Sequence, residues 1–196
     1  MKKIVPADAV LVPDTATRAF HGIIYDVYQW PQALFDGSQA TFEMLKRPDT
    51  VSVICIVDGK VLVLDDEQPH TGSRVSFPGG RVDPTDATIE AAAQREVLEE
   101  TGYTFRNWRI IKVWQPHSKT EWFLHLLLAW EVADKTAPHH DPGEKITVRE
   151  LGFDEVKDLV ITKSAYLGES IDIFEDLHGI NELLDLTAFS GETVDR

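Results

Sequence analysis

Only one cysteine occurs in the 196-residue sequence, so the chain cannot form an internal disulfide and a reducing compartment is expected. That thiol, Cys55, lies in the apolar run Val51-Ser52-Val53-Ile54-Cys55-Ile56-Val57. A small buried core residue is the ordinary outcome there and a nucleophile the rarer one. Long apolar runs are scarce too. The longest, Trp122 to Trp130, is too short to span a bilayer and contains His125. Near the start, Pro6 and Asp8 interrupt any apolar core of a signal peptide. These absences lead us to expect a cytoplasmic protein with no membrane partner.

Positive charge is the next shortage. Nineteen Lys and Arg stand against 33 Asp and Glu, a net charge of −14. A protein that tracks nucleic-acid phosphates needs a basic stripe, so no nucleic-acid partner is expected. An anionic substrate stays possible if divalent cations neutralise the contact. No repeat of 20 to 50 residues and no low-complexity linker divides the chain. Its length suits one domain with an added element and allows a sizeable core.

What is present reads as a mixture of strands and helices. His21 to Trp30 has the β-branched and aromatic content of a strand, Leu34-Phe35-Asp36-Gly37 offers a turn, and Thr41 to Lys46 a second strand. Val51 to Val57 and Lys60 to Leu64 flank Asp58-Gly59, a strong hairpin signal. Ala87 to Thr101 predicts a helix, ended by Gly102. Ala87, Ala91 and Leu98, with Val97 beside them, are expected to pack on a sheet, and Ile89 and Ala93 fall nearer the glutamate side. Strands follow at Trp108 to Trp114, Glu121 to Val132 and Lys145 to Leu151. A short helix over Asp154 to Val160 and a helical region over Ser164 to Leu184 complete the pattern. With no regular βαβ repeat the class is α+β, layered α/β/α: a mixed sheet between helices, preceded by a small N-terminal antiparallel sheet.

The chemistry concentrates in Phe77-Pro78-Gly79-Gly80-Arg81-Val82-Asp83, then Asp86, then Arg95-Glu96-Val97-Leu98-Glu99-Glu100-Thr101-Gly102-Tyr103. On a helix, Glu96, Glu99 and Glu100 share an arc of roughly 100°. They repel one another and sit toward the helix C-terminus, where the macrodipole already disfavours anions. A solvated acidic face accounts for two adjacent glutamates. It leaves the glycines, the helix and Arg95 unexplained, whereas hard divalent cations among the carboxylates account for all of them. Arg95, one turn before Glu99, can pair with it and orient it.

This segment resembles the Nudix box, whose pattern is Gly, five residues, Glu, seven residues, then Arg-Glu-apolar-x-Glu-Glu-x-Gly-apolar. Arg95 to Tyr103 matches every defined position. The first half departs: Gly80 lies fifteen positions before Arg95 instead of fourteen, and Ala87 occupies the place of the first glutamate. Asp86, one residue earlier, is the candidate replacement. The order of elements outside the box is similar to that of ADP-ribose pyrophosphatases. Tyr25 to Tyr28, Leu34 to Gly37 and Thr41 to Glu43 fit their N-terminal sheet, which those proteins often exchange between two subunits. Gln68-Pro69-His70 and Gln115-Pro116-His117-Ser118 depart from their usual phosphate-contacting segments.

The resemblance implies a division into an N-terminal extension and dimerisation element (1–48), a Nudix hydrolase domain (49–187) and a C-terminal tail (188–196). It also implies a homodimer. It implies metal held by Glu96, Glu99 and Glu100 with the Gly79 carbonyl assisting, Mg²⁺ first and Mn²⁺ as a substitute. Glu99, Arg95 and Glu144 are the expected catalytic group. Glu144 is either the general base on a mobile loop or a solvated acid. Candidate substrate contacts each carry a plainer alternative. Tyr28 and Trp30 either stack on adenine or pack in the core or dimer interface. Glu121 either touches substrate or a third metal, or is a strand-edge acid. His117 either contacts phosphate or is structural. Adjacent His139 and His140 lack ligand spacing and are expected in solvent. The implied reaction is cleavage of a nucleoside diphosphate derivative, NDP-X, with ADP-ribose or another ADP-sugar first. Dinucleotides, nucleoside triphosphates, or nucleotide binding without turnover stand as alternatives.

Overall fold

The computed structural model describes residues 2–69, 72–140, 143, 145–162, 167 and 170–195. In chain order the first half contains β1 (Lys2–Val5), β2 (Thr17–His21), β3 (Asp26–Ala33), β4 (Gln39–Lys46), β5 (Thr50–Val57), β6 (Lys60–Gln68) and β7 (Gly72–Ser76). Helix α1 (Ile89–Thr101) follows, then β8 (Tyr103–Trp114), β9 (Thr120–Glu121), β10 (Leu124–Lys135) and β11 (Lys145–Leu151). The chain ends with α2 (Phe153–Thr162), α3 (Ile171–Phe174), α4 (Ile180–Asp185) and β12 (Glu192–Asp195).

The apolar run of β5 organises the core because both of its faces are covered. Val53, Cys55 and Val57 pack with Ile89, Ala92, Ala93 and Val97 of α1. Ile54 and Ile56 pack on the other side with Val156 and Val160 of α2, Phe174 of α3 and Leu183 of α4. A strand covered on both faces reads as a continuous apolar run rather than an alternating one, as β5 does. Each fully buried side chain, such as Leu127 or Leu128 of β10, contributes about 1.5–3 kcal/mol of hydrophobic stabilisation. The central sheet has the order β11-β6-β5-β10-β8, with β7 paired on β6. Strand β10 runs parallel to β5, and the remaining pairs are antiparallel. The fold is therefore α+β, a mixed sheet between helices. The hairpin joining β5 and β6 turns at Asp58 and Gly59, with φ of 48° and 74°, the doubly positive pair of a type I′ turn.

The N-terminal sheet has the order β2-β3-β4-β9. Its first three strands are antiparallel, and β9 joins β4 in parallel through Leu45↔Thr120 and Lys46↔Glu121. The expected single strand from His21 to Trp30 is in fact a hairpin. The Gly22 amide donates to the Tyr25 carbonyl at 3.0 Å, turning the chain between β2 and β3. Strand β8 begins five residues earlier than expected because Gly102 ends α1 and releases the chain directly into it. Strand β7 carries too little apolar patterning to be read in advance. Residues 188–196, expected as a tail, include β12, which pairs with β1 from Lys2↔Asp195 to Val5↔Glu192. Within the expected helical region from Ser164 to Leu184, several residues lie outside the described ones, and α3 and α4 are its described helices. No described helix is long and apolar enough to cross a membrane.

Candidate active site

The loop before α1 is fastened to β5 as if it were a neighbouring strand. The Val53 amide donates to the Pro78 carbonyl at 2.8 Å and the Val51 amide to the Gly80 carbonyl at 2.9 Å. The Val82 amide returns to the Asp49 carbonyl at 2.9 Å. This places Gly79 so close to β5 that a Cβ would overlap the Val51 carbonyl oxygen, and its φ of +150° suits glycine alone. At Gly80 a Cβ would stand 2.7 Å from the Glu96 carboxylate. The two glycines thus serve different partners: Gly79 the sheet, Gly80 a carboxylate of the helix.

Helix α1 starts at Thr88, whose Oγ1 accepts from the Ala91 amide at 3.0 Å, a normal N-cap. It ends at Gly102, φ 73°, whose amide donates to the Leu98 carbonyl. The buried stripe is Ile89, Ala92, Ala93, Val97 and Thr101. Leu98, expected against the sheet, is exposed, and Ala91 is only half-buried. The rotation brings Glu96 and Glu100 to the margin of the buried face. The loop after β10 then folds over the helix end. The His139 amide donates to the Glu99 carbonyl at 2.8 Å, and His140 Nε2 lies 3.0 Å from the Glu100 carbonyl. Carbonyls that a helix C-terminus leaves without partners are thereby satisfied. Because a carbonyl only accepts, Nε2 of His140 must carry the proton. His139 is exposed as expected, but His140 is a half-buried strap over the helix end.

Arg95 holds the acidic face together. Its Nε donates to Asp86 Oδ1 at 3.1 Å and its Nη2 to Asp86 Oδ2 at 2.9 Å. Nη1 reaches Glu96 Oε1 at 2.9 Å and Glu99 Oε2 at 3.1 Å, and Nη2 also meets the Arg81 carbonyl at 2.9 Å. The hydrogen bonds that Arg95 donates to Asp86 raise its already high pKa, and the negative charge of Glu96 adds to this. In return, the Arg95 contact holds the Asp86 carboxyl below the ordinary carboxylate range, despite some burial. Glu100 turns the other way, its Oε2 accepting from the Gly79 amide at 2.8 Å. Loop and helix are therefore locked together at both ends of the carboxylate row.

Glu96, Glu99, Glu100, Arg95 and Gly79 all line one pocket of about 460 Å³. Arg47, Arg74, Gln68, Ile24 and His140 complete part of its wall. Arg47, Arg74 and Ile24 are not singled out by the sequence, because they come from strands and loops distant along the chain, and His140, expected in solvent, belongs to this wall. The other candidates lie elsewhere. Trp30 is buried against Phe42, with ring centroids 5.1 Å apart, and packs with Val12 and Met44. Tyr28 lies beneath the Lys46 ammonium, 5.9 Å from the ring centre. Of the two readings for each, packing is the one this geometry supports. Glu121 is fully buried, with Oε1 2.7 Å from Lys46 Nζ and Oε2 accepting from the Val12 amide at 2.8 Å. A carboxylate taken out of water must be paired, and here it ties β9 to Lys46 of β4 and to the segment that carries Val12 rather than facing substrate. His117 is exposed, its carbonyl accepting from Thr120 in a turn. Glu144 lies outside the described residues.

The model of the NUDIX domain matches residues 46–169, and the chain belongs to the Nudix family. The crystal structure of an ADP compounds hydrolase is similar in fold: TM-score 0.68, 17% sequence identity, with 91% of this chain and 97% of that chain covered. A sequence search among curated proteins finds no match.

Proposed function

We propose that this Nudix protein hydrolyses the pyrophosphate bond of a nucleoside diphosphate derivative, ADP-ribose or another ADP-sugar first, giving AMP and a sugar phosphate. The observation that carries this reading is the fastening of Glu96, Glu99 and Glu100 at the edge of one pocket by Arg95, Asp86 and the Gly79 amide. So much fixed negative charge at the end of a helix is costly unless a cation shares it. The fold shared with an ADP compounds hydrolase supports the choice of nucleoside.

The donor set fits a hard divalent cation. Glu96, Glu99 and Glu100 offer oxygen ligands, and the glycine loop brings backbone close to them. Among the described residues, no three Asp, Glu, His or Cys side chains are grouped so that they could hold a metal ion by themselves, so a cation here would rest on fewer carboxylates together with water and substrate oxygens. Such an open arrangement suits Mg²⁺, which keeps water and takes substrate phosphate oxygens alongside one or two carboxylates. Mn²⁺ shares this ligand preference. When bound, the cation supplies Lewis-acid charge to the phosphate and lowers the pKa of water.

The chain's own residues have separate tasks in this reading. Glu96 and Glu100 hold the cation, and Glu99 flanks them. Arg95 positions the carboxylates and does not touch substrate. Glu144 is the proposed general base that takes the proton of the attacking water. Asp86 replaces the box glutamate missing at Ala87, since it grips Arg95 with both oxygens. This removes the main sequence argument for a binding module without turnover. We further propose a cytoplasmic homodimer that uses the N-terminal sheet.

Hydrolysis in oxygen-labelled water, with products identified by mass, tests the reaction. The label should enter the phosphoryl group of AMP or of the sugar phosphate. Label on the sugar carbon would overturn attack at phosphorus. A kcat/KM for nucleoside triphosphates far above that for every ADP-sugar would overturn the substrate class.

A further inference from the structure

We propose that Arg74, held in place by the buried carboxylate of Asp66, contacts the diphosphate of the substrate; the ligand class, though not the geometry, rests on the function proposed above. Strands β6 and β7 pair antiparallel with Asp66 opposite Arg74, which puts the two side chains on one face. Asp66 Oδ2 accepts from Arg74 Nε at 2.7 Å, stands 2.6 Å from Nη2, and accepts from Gln68 Nε2 at 3.2 Å. The Asp66 side chain is only 6% exposed, whereas that of Arg74 is 26% exposed and lines the pocket beside the box carboxylates. The anion is therefore withdrawn from water while the Arg74 side chain is partly exposed and lines the cavity.

The pocket's other arginines are placed differently. Arg95 is committed to Asp86, Glu96 and Glu99, and Arg81 pairs with Asp83 at 3.2 Å. Arg47 lies over the Tyr25 and Trp122 rings, 5.4 and 4.6 Å from their centres. Arg74 lines the pocket, and the carboxylate paired with it, Asp66, is not among the lining residues. A guanidinium fork matches phosphate oxygens. Fixing its plane beforehand lowers the ordering cost of binding. Gln68, on the same carboxylate, is set beside it by the same means. Asp66 is accordingly a positioning residue that acts through Arg74.

Calorimetric titration of ADP in the presence of Mg²⁺, using the full chain, tests the assignment, with thermal melts recording the fold of each variant. Arg74→Gln should weaken ADP binding roughly ten- to a hundredfold, the range for loss of a charge-assisted hydrogen bond. Arg74→Lys should restore part of it. Asp66→Asn should weaken ADP less than Arg74→Gln does, and should add no further loss on the Arg74→Gln background. Wild-type affinity in Arg74→Gln overturns the contact, as does failure of the wild type to bind ADP. An equal Asp66→Asn effect on both backgrounds overturns the positioning role. Assays of ADP-ribose hydrolysis run alongside separate the two readings. Arg74-dependent ADP binding without turnover sinks the proposed function and supports the contact. Turnover with Arg74-independent affinity does the reverse.

Discussion

Arg95 grips Asp86 through two nitrogens, Nε on Oδ1 at 3.1 Å and Nη2 on Oδ2 at 2.9 Å, so the residue before Ala87 anchors the arginine of the Nudix box. Under the proposed function Asp86 takes the place of the supporting acid, one position before Ala87. Asp86 also accepts from the Asp83 amide at 2.8 Å, which fixes the loop conformation that delivers it.

Asp86→Ala should therefore lower turnover by about ten- to a hundredfold, the usual cost of removing a group that orients metal ligands. Adding Ala87→Glu should not restore it, because Ala87 is exposed and one position along the chain. Steady-state kinetics of the single and double variants check this. Near-normal turnover in Asp86→Ala would remove Asp86 from the site.

The two adjacent glycines should respond differently to alanine. In Gly79→Ala the new Cβ meets backbone, the Val51 carbonyl and, at 2.8 Å, Ser52 Cα, at a φ that disfavours side chains. The fold should lose about 3 kcal/mol or more, the exceptional end of single substitutions. In Gly80→Ala the atoms nearest the Cβ are those of the flexible Glu96 carboxylate, which can swing aside. Stability should change by less than about 1 kcal/mol, while turnover falls because Glu96 is displaced. Urea midpoints and kcat for each variant make the comparison, and the reverse pattern would contradict the loop geometry.

Acid lability should trace in part to Asp49. Its carboxylate is buried, accepts from Lys3 Nζ and the Phe123 amide at 3.1 Å each, and lies 3.7 Å from His125 Nε2. Burial works to raise its pKa, but His125, Lys3 and the Phe123 amide outweigh burial and hold it below the ordinary value. A carboxyl whose folded pKa is depressed stabilises the fold fully above its unfolded pKa, about 3.9, and loses that contribution as pH falls through the folded value. The stability gap between wild type and Asp49→Asn should thus be widest at neutral pH and narrow below about pH 4. Urea unfolding across this range checks it; a gap that widens on acidification would contradict the charge assignment.

Phe20, Ile23, Ile24, Leu34 and Phe35 leave the N-terminal sheet with large apolar side chains in solvent. Phe20, Ile23 and Ile24 gather at the β2–β3 turn and Leu34 and Phe35 at the β3–β4 turn, at the other end of β3, and exposed apolar side chains of this size suit an interaction face. Sedimentation at micromolar concentration should show a dimer, and Phe20→Ser with Ile23→Ser should shift it to monomer. A monomeric wild type would contradict the dimer.

The parts legible in the sequence were those whose signal is local. Glycine pairs, a helix spacing and the Arg95-to-Tyr103 pattern all lie within one short segment, and the Asp58-Gly59 turn needs no tertiary information. The orientation of α1 is weakly marked in the sequence because alanines occupy several of its sides and give little apolar contrast, so the spacing places Leu98 on the face that Ala92 and Val97 cover. Arg47, Arg74 and His140 were illegible as pocket residues because pairing across strands and the fold of the loop after β10 bring them in. Glu121 illustrates the converse. A lone acid on a strand reads equally as a substrate or metal contact and as a strand-edge acid, and only the tertiary fold brings Lys46 and the Val12 amide to it.

The proposed function assigns pyrophosphate hydrolysis to the box carboxylates. Its most direct test is turnover of ADP-ribose in Mg²⁺ by wild type, Glu96→Gln and Glu100→Gln. Each substitution keeps the size of the side chain and removes its charge, so transition-state stabilisation should suffer far more than the fold. The account predicts measurable wild-type turnover, kcat reduced by orders of magnitude in both variants, and melting temperatures within a few degrees of wild type. Near-normal kcat in both variants would contradict it.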